Sequence, residues 1–260
     1  MATKTEIKKW IKEIVTPAIE PYGYKFGAVK EFGNALAIYK KTKISFSDLM
    51  IDIYSNCEIQ IGGIDFVNLI LIEKIFNITN NKEVLRMNRL MYIQETHPYY
   101  EYVKKRDFSF IQIIKSKKQL EVYLHPLLDQ FDDSMKLVAY YKYIPNLLQK
   151  WEEVTNVEPQ NYELINSYFP SPFKYFYIYY LARLVNYKSS DKILTYSISI
   201  MDMIRREIIE EGDIEGSKEY DKQIQSMDKL KTYFNTISKE DFEQLQEDFQ
   251  EFLIGSKQSV

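Results

Sequence analysis

The chain predicts an α+β fold, an N-terminal helix plus antiparallel sheet module continuing into a helical C-terminal half. Three observations carry that expectation. The sequence opens on a capped amphipathic helix, period-2 runs occupy residues 34–63, and from Lys117 onward the apolar residues recur at helical spacing.

The first helix is marked at both ends. Thr3 and Glu6 stand at capping-box spacing. Ile7, Trp10, Ile11, Ile14, Ala18 and Ile19 then form one apolar stripe. Pro17 is expected to kink or restart the helix, and Gly23 suits the left-handed position that ends it.

Strands follow in NALAIYKKT and in KISFSDLMIDIYSNCEIQIGG, bounded by the turn residues Gly33-Asn34 and Gly62-Gly63. In the second run Leu49, Ile51 and Ile53 share one face, and Asp48, Met50, Asp52 and Tyr54 the other. VNLILIEKIF reads as a strand or a short helix and NKEVLRMNRLMYIQET as a helix, with a further strand at Asp107–Ile114.

Two helical segments then run from residues 118 to 154, interrupted by Pro126 and Pro145. The stretch from Thr155 to Pro172 holds three prolines and reads as loop. A helix beginning at Ser171-Pro172 places Phe173, Phe176, Tyr177, Tyr180, Leu181, Leu184 and Val185 on a buried face. Tyr175, Tyr179, Arg183 and Asn186 fall on the remaining narrow strip, where the tyrosine hydroxyls seek water or partners. The next helix carries Leu194, Ile198, Met201, Ile204 and Ile208 and stops at Gly212. The last opens at Ser238 with Asp241 three residues on and aligns Phe242, Leu245, Phe249 and Phe252. These elements divide into a helix-and-sheet module over 1–116 and a helical module over 117–260, expected to pack as one unit.

Composition narrows the function. The 260 residues carry a net charge of −3 with both signs mixed along the chain, which argues against a dedicated nucleic-acid binder. A single cysteine, Cys57, excludes an internal disulfide and a cysteine-based zinc site. The opening MATKTEIKKW has no leader-like apolar core, and no stretch approaches a membrane span, so a cytoplasmic protein with no membrane partner is expected. Phosphate-cradling glycine motifs are absent, and no Ser sits in a nucleophile elbow. His97 and His125 lack metal-ligand spacing and read as one surface and one hydrogen-bonded structural histidine. No catalytic residue, cofactor or metal ligand is therefore assigned.

Two carboxylate groupings remain. Asp52, Glu58 and Gln60 loosely match the strand carboxylates of magnesium-dependent nucleases, with glutamine where a lysine is usual. Glu207, Glu210, Glu211, Asp213 and Glu215 crowd one helix end, and Glu240, Asp241, Glu243, Glu247, Asp248 and Glu251 follow later. Such clusters are commonly solvated helix faces, or else they steer a basic partner.

The layout of the first half also carries a resemblance. WIKEIVTPAIEPYGYK has a proline before its last turn and closes on Gly23-Tyr24-Lys25; FGNALAIYK, a strand ending EIQIGG, and YLHPLL follow. This resembles a family of uncharacterised bacterial domains, built from a helix, a Gly-aromatic-Lys turn and an antiparallel sheet, that is associated with immunity proteins of polymorphic toxin systems. The resemblance implies a protein that neutralises a toxin by direct binding and brings no catalytic residue with it. The resulting expectation is a cytoplasmic protein-binding module of the immunity type, its partner a basic toxin domain met by Glu210, Glu211, Asp213 and Glu215. The alternatives are a metal-dependent nuclease using Asp52 and Glu58, and a scaffold or homo-oligomeric component using the tyrosine strip.

Overall fold

A computed structural model of the chain describes residues 2–28, 35–43, 45–86, 90–101, 111–156 and 161–254. The turn expected at Gly33-Asn34 and the part of the expected strand at 107–110 lie outside them. The fold is α+β, with the sheet near the N-terminus and helices through the C-terminal half. Contacts gather the chain into two units, Met1–Val67 with Met91–Tyr140, and Asn68–Leu90 with Tyr141–Lys257.

In the first unit, α1 (Lys4–Ile19) begins with the reciprocal cap that its sequence encodes. Thr3 Oγ1 accepts from the Glu6 N–H at 3.3 Å, and the Glu6 carboxylate accepts from the Thr3 N–H at 2.8 Å. Ile7, Ile11, Val15 and Ile19 form the buried stripe, while Trp10, Ile14 and Ala18 are only half-buried. Pro17 does not stop the helix. The carbonyl that it leaves without an N–H belongs to Glu13, an exposed residue, so the missing bond is not a buried one. The chain turns at Gly23 (φ 75°), and the buried Tyr24 places its hydroxyl 2.6 Å from Ser47 Oγ.

Strands β1 (Lys25–Ala28), β2 (Ala35–Lys41), β3 (Ser45–Ile53) and β4 (Glu58–Asn68) lie in chain order, followed in the sheet by β5 (Met91–Ile93). β1 and β3 both pair antiparallel with β2. Along β3, Ser45, Ser47, Leu49, Ile51 and Ile53 are buried and the residues between are half-exposed, the alternation a one-sided strand requires. β4 pairs with β5 along Ile64–Phe66 and with β6 (Gln112–Ile113) along Glu58–Ile59. Helix α3 (Lys117–Asp129) packs on α1, and Lys117 bridges to Glu13 at 2.7 Å. It runs through Pro126, because the carbonyl released is that of Val122, whose side chain is 69% exposed. The break falls instead at Gln130, before α4 (Phe131–Lys142).

Gly62-Gly63 corrects the sequence reading. The pair is not a turn but lies inside β4, where Gly63 donates its N–H to the Tyr92 hydroxyl at 2.8 Å. A Cβ on Gly63 would sit 2.9 Å from Tyr92 Oη and 3.1 Å from the Ile93 carbonyl, whereas one on Gly62 would meet only ordinary contacts near 3.5 Å. Gly63→Ala is therefore expected to destabilise by about 1–3 kcal/mol in denaturant unfolding, and Gly62→Ala by clearly less. Equal effects of the two would show that the close approach of β5 does not govern this site.

The second unit begins with α2 (Leu69–Thr79), capped by the Asn68 side chain on the Leu71 N–H, which resolves the strand-or-helix ambiguity in favour of helix. Among the described residues of the stretch 81–96, where a helix is expected, no α-helix forms. A short 3-10 turn (Lys82–Arg86) and β5 stand there, because residues 91–93 complete the edge of β4. α5 (Ile144–Thr155) starts with Pro145 in its first turn. The proline-rich stretch read as loop holds a short helix, α6 (Tyr162–Tyr168), which Asn161 caps at 3.0 Å.

Helix α7 (Lys174–Leu184) starts two residues later than its Ser-Pro signal. It contacts α2 and α5, and also α8 (Ser190–Glu210), α9 (Ile214–Thr236) and α10 (Lys239–Asp248). Enclosed in this way, it is buried on every side along Lys174–Ala182. The expected tyrosine strip is not at the surface: Tyr175 and Tyr179 are buried, and the Tyr179 hydroxyl finds a partner in Arg183 Nη1 at 3.5 Å rather than water. On α8 the buried set is Ile193, Leu194, Ser197, Ile200 and Met201, and Ile198, Ile204 and Ile208 are half-buried. Ser238 caps α10 by accepting from the Asp241 N–H at 3.0 Å, and Phe249 separates it from α11 (Gln250–Leu253).

Candidate functional site

The tip joining α8 to α9 gathers the acidic residues singled out in the sequence. Gly212 adopts φ 87°, and its N–H and that of Asp213 close back onto the Ile209 and Ile208 carbonyls at 3.0 Å each. Asp213 then caps α9, accepting from the Gly216 N–H at 2.8 Å. Gly216 is required for this geometry, because a Cβ there would lie 2.3 Å from Asp213 Oδ2. Glu215 pairs with Lys218 at 2.6 Å. All four residues, Glu210, Glu211, Asp213 and Glu215, are exposed and lie within six consecutive positions of the chain. Asp213 and Glu215 thus have local duties, whereas Glu210 and Glu211 project at the helix end.

Sequence reasoning missed the apolar part of this tip. Ile209 and Ile214 are 42% and 67% exposed, one on each side of the acidic turn. The available signal for Ile209 was its position outside the apolar stripe of α8, and for Ile214 its place beside the Gly212 stop, at the start of α9. The later acidic run is more engaged: Asp248 pairs with Lys74 at 2.5 Å, and the Asp241 carboxylate accepts from the Ser238 hydroxyl at 2.8 Å.

The strand carboxylates make a poorer site. Asp52 is half-buried, and that burial raises its carboxyl above the ordinary range. The Tyr54 hydroxyl donates to Gln60 Oε1 at 2.7 Å, and burial, with Asp52 and Glu58 nearby, holds it above its ordinary value. The three residue types thus share one patch around Tyr54. Among the described residues no three His, Cys, Asp or Glu side chains converge in a way that could hold a metal ion.

The two histidines take the reverse of their expected places, the one in the turn-prone stretch buried and the one on the helix exposed. His97 is buried, with Nδ1 accepting from the Tyr99 N–H at 3.0 Å, and desolvation pushes its pKa down to about 4. His125 lies on the exposed face of α3, with Nδ1 2.5 Å from Asp129. Cys57 takes the left-handed position (φ 65°) of the turn between β3 and β4, its Sγ 3.4 Å from the Ala2 carbonyl oxygen. Among the described residues no helix is long and apolar enough to cross a membrane.

Comparison of the chain with protein-family models, with curated proteins and with solved structures finds no match.

Proposed function

We propose that the protein is a cytoplasmic binding module of the immunity type that neutralises a basic toxin domain by direct contact, through the tip between α8 and α9. The observation that carries this reading is the pair of exposed isoleucines, Ile209 and Ile214, set among Glu210, Glu211, Asp213 and Glu215. An apolar centre with a charged rim is the anatomy of a protein-protein contact, in which the carboxylates speed encounter and the isoleucines hold the complex. The resemblance of the N-terminal layout to immunity-associated domains and the net negative charge support the same partner class.

The test starts from a partner recovered from the host by co-purification, followed by stopped-flow association. Glu210→Lys with Glu211→Lys is the useful reversal, because it spares the Asp213 cap and the Glu215–Lys218 pair on which the turn depends. It should slow association about tenfold or more at low salt, an effect that shrinks within the ~8 Å screening length of physiological salt. Ile214→Ser should instead speed dissociation by about tenfold. A partner whose kinetics ignore both changes does not use this tip.

A further inference from the structure

The patch around Tyr54 has too few converging carboxylates for a metal ion among the described residues, but its spacing suits a larger cation. It lies in the first unit, on the sheet face opposite the buried residues of β3. Backbone pairing fixes its layout. Ile51 and Ile53 take the buried face, so alternation puts Asp52 and Tyr54 on the other. The Tyr54 N–H donates to the Glu58 carbonyl at 2.9 Å, which closes the turn and sets Glu58 beside Tyr54. Glu58 is in turn the register partner of Ile113 on β6, so these two side chains leave the sheet on the same side. Gln60, two residues along β4, returns to that face and accepts from the Tyr54 hydroxyl at 2.7 Å. With strands about 5 Å apart and alternate residues about 7 Å apart, the five side chains share roughly 10 Å by 7 Å of sheet.

Exposure and charge say what the patch can take. Tyr54 and Ile113 are 43% and 41% exposed, two large apolar surfaces with Glu58 between them. Neither the Asp52 nor the Glu58 carboxylate meets a cation or a hydrogen-bond donor among the described residues. Burial raises the Asp52 carboxyl with no cation drawing it back, and the charges that bear on the Tyr54 hydroxyl are those of Asp52 and Glu58. The bond to Gln60 ties down the outer end of the ring, which leaves its face as a steady platform.

A guanidinium meets all of these features at once. It is planar and stacks on a tyrosine face, its fork of N–H groups can serve two carboxylates, and its methylene stem covers an aliphatic neighbour. An ammonium is a compact point charge that one carboxylate satisfies. A hard cation such as Mg²⁺ demands more oxygen ligands and gains nothing from an apolar floor. An anion is repelled.

We propose that this face of the sheet docks a protein partner through an arginine side chain, stacked on Tyr54 between Asp52 and Glu58 with its stem against Ile113. The inference does not rest on the tip between α8 and α9, which belongs to the other unit, and either can fail without the other.

The probe is a glycine-arginine-glycine peptide blocked at both ends, titrated into the full chain and followed by amide NMR shifts. The same peptide with neutral citrulline for arginine, the lysine peptide and free arginine are run at matched ionic strength. Saturable shifts centred on residues 52–60 and 112–114 are expected with the arginine peptide. The lysine peptide should bind about threefold more weakly and the citrulline peptide about tenfold more weakly. Asp52→Asn, Glu58→Gln and Tyr54→Leu should each weaken the arginine peptide by about threefold to tenfold, and thermal melts establish that the variants fold. No saturable shift up to about 50 mM peptide would overturn the proposal. Citrulline binding as tightly as arginine would also overturn it, because the guanidinium charge would then be idle. Lysine matching arginine would remove the stacking on Tyr54, and free arginine binding more tightly than the blocked peptide would remove the protein partner. Affinity unchanged in all three folded variants would place the peptide elsewhere and end the assignment.

Discussion

Acidification from about pH 7 to about pH 4 is expected to cost the fold about 3 kcal/mol through His97 alone, because burial lowers its pKa from 6.5 to about 4. The side chain is 4% exposed, so little solvent screening discounts the effect. Geometry supports the direction of the shift. Nδ1 accepts from the Tyr99 N–H, and a proton on Nδ1 would face that N–H as a second donor. The sign follows from proton counting. Above 6.5 both folded and unfolded states are neutral at this position, and the group contributes no pH dependence. Between 6.5 and about 4 the unfolded chain takes a proton that the folded one refuses, so stability falls as pH falls. Below about 4 both states are protonated and the loss is complete. His97→Asn keeps an acceptor in the place of Nδ1 but does not titrate, so the wild-type and variant stability curves should converge toward low pH. Carboxylate protonation acts on both proteins and cancels in the difference. Urea unfolding across this range checks it, and parallel curves for the two proteins would refute the assignment.

Truncation of the central helix should have the larger single effect. Phe176 is fully buried on α7, and Phe176→Ala is expected to cost about 3–5 kcal/mol, the sum of lost transfer energy and the cavity left behind. The tyrosines of the same helix should separate by what their hydroxyls touch. Tyr180 Oη is buried against Phe234 and Phe249 with no hydrogen-bond partner among the described residues, so Tyr180→Phe should stabilise by about 1 kcal/mol or be neutral. Tyr179 Oη lies 3.5 Å from Arg183 Nη1, a long contact whose loss should cost about 1 kcal/mol or less. Tyr177 has its hydroxyl bonded to Ser171, and Tyr177→Phe should cost the most of the three. Guanidinium midpoints rank the series. A marked destabilisation by Tyr180→Phe would mean that its hydroxyl is satisfied after all.

Those tyrosines show where sequence reasoning stops. Helical projection set Tyr175 and Tyr179 apart from the apolar face, on a strip seeking water or partners, yet α2, α5, α8, α9 and α10 surround α7 and leave no wet side. Likewise the Gly62-Gly63 pair carried a turn signal that β5 overrode by pairing with β4 from nearly thirty residues away. The same pairing turned an expected helix into Met91–Ile93. At Pro17 and Pro126 a local rule was correct in kind but without consequence, since each freed carbonyl belongs to a residue on an exposed face.

What the amino-acid order determined by itself is the set of features closed within a few residues. The Thr3–Glu6 cap, the left-handed stops at Gly23 and Gly212, the alternation along β3, the Ser238 cap and the α+β order of elements are of this kind. The acidic tip belongs with them, because its carboxylates are neighbours along the chain. Only the tertiary structure decided that Ile209 and Ile214 stay exposed, that His97 is dry, and that Ile113 stands beside Glu58 on the sheet. The physical reason is range. Backbone geometry and capping bonds act between residues three or four apart, whereas burial and polar pairing depend on which distant segments pack against a side chain.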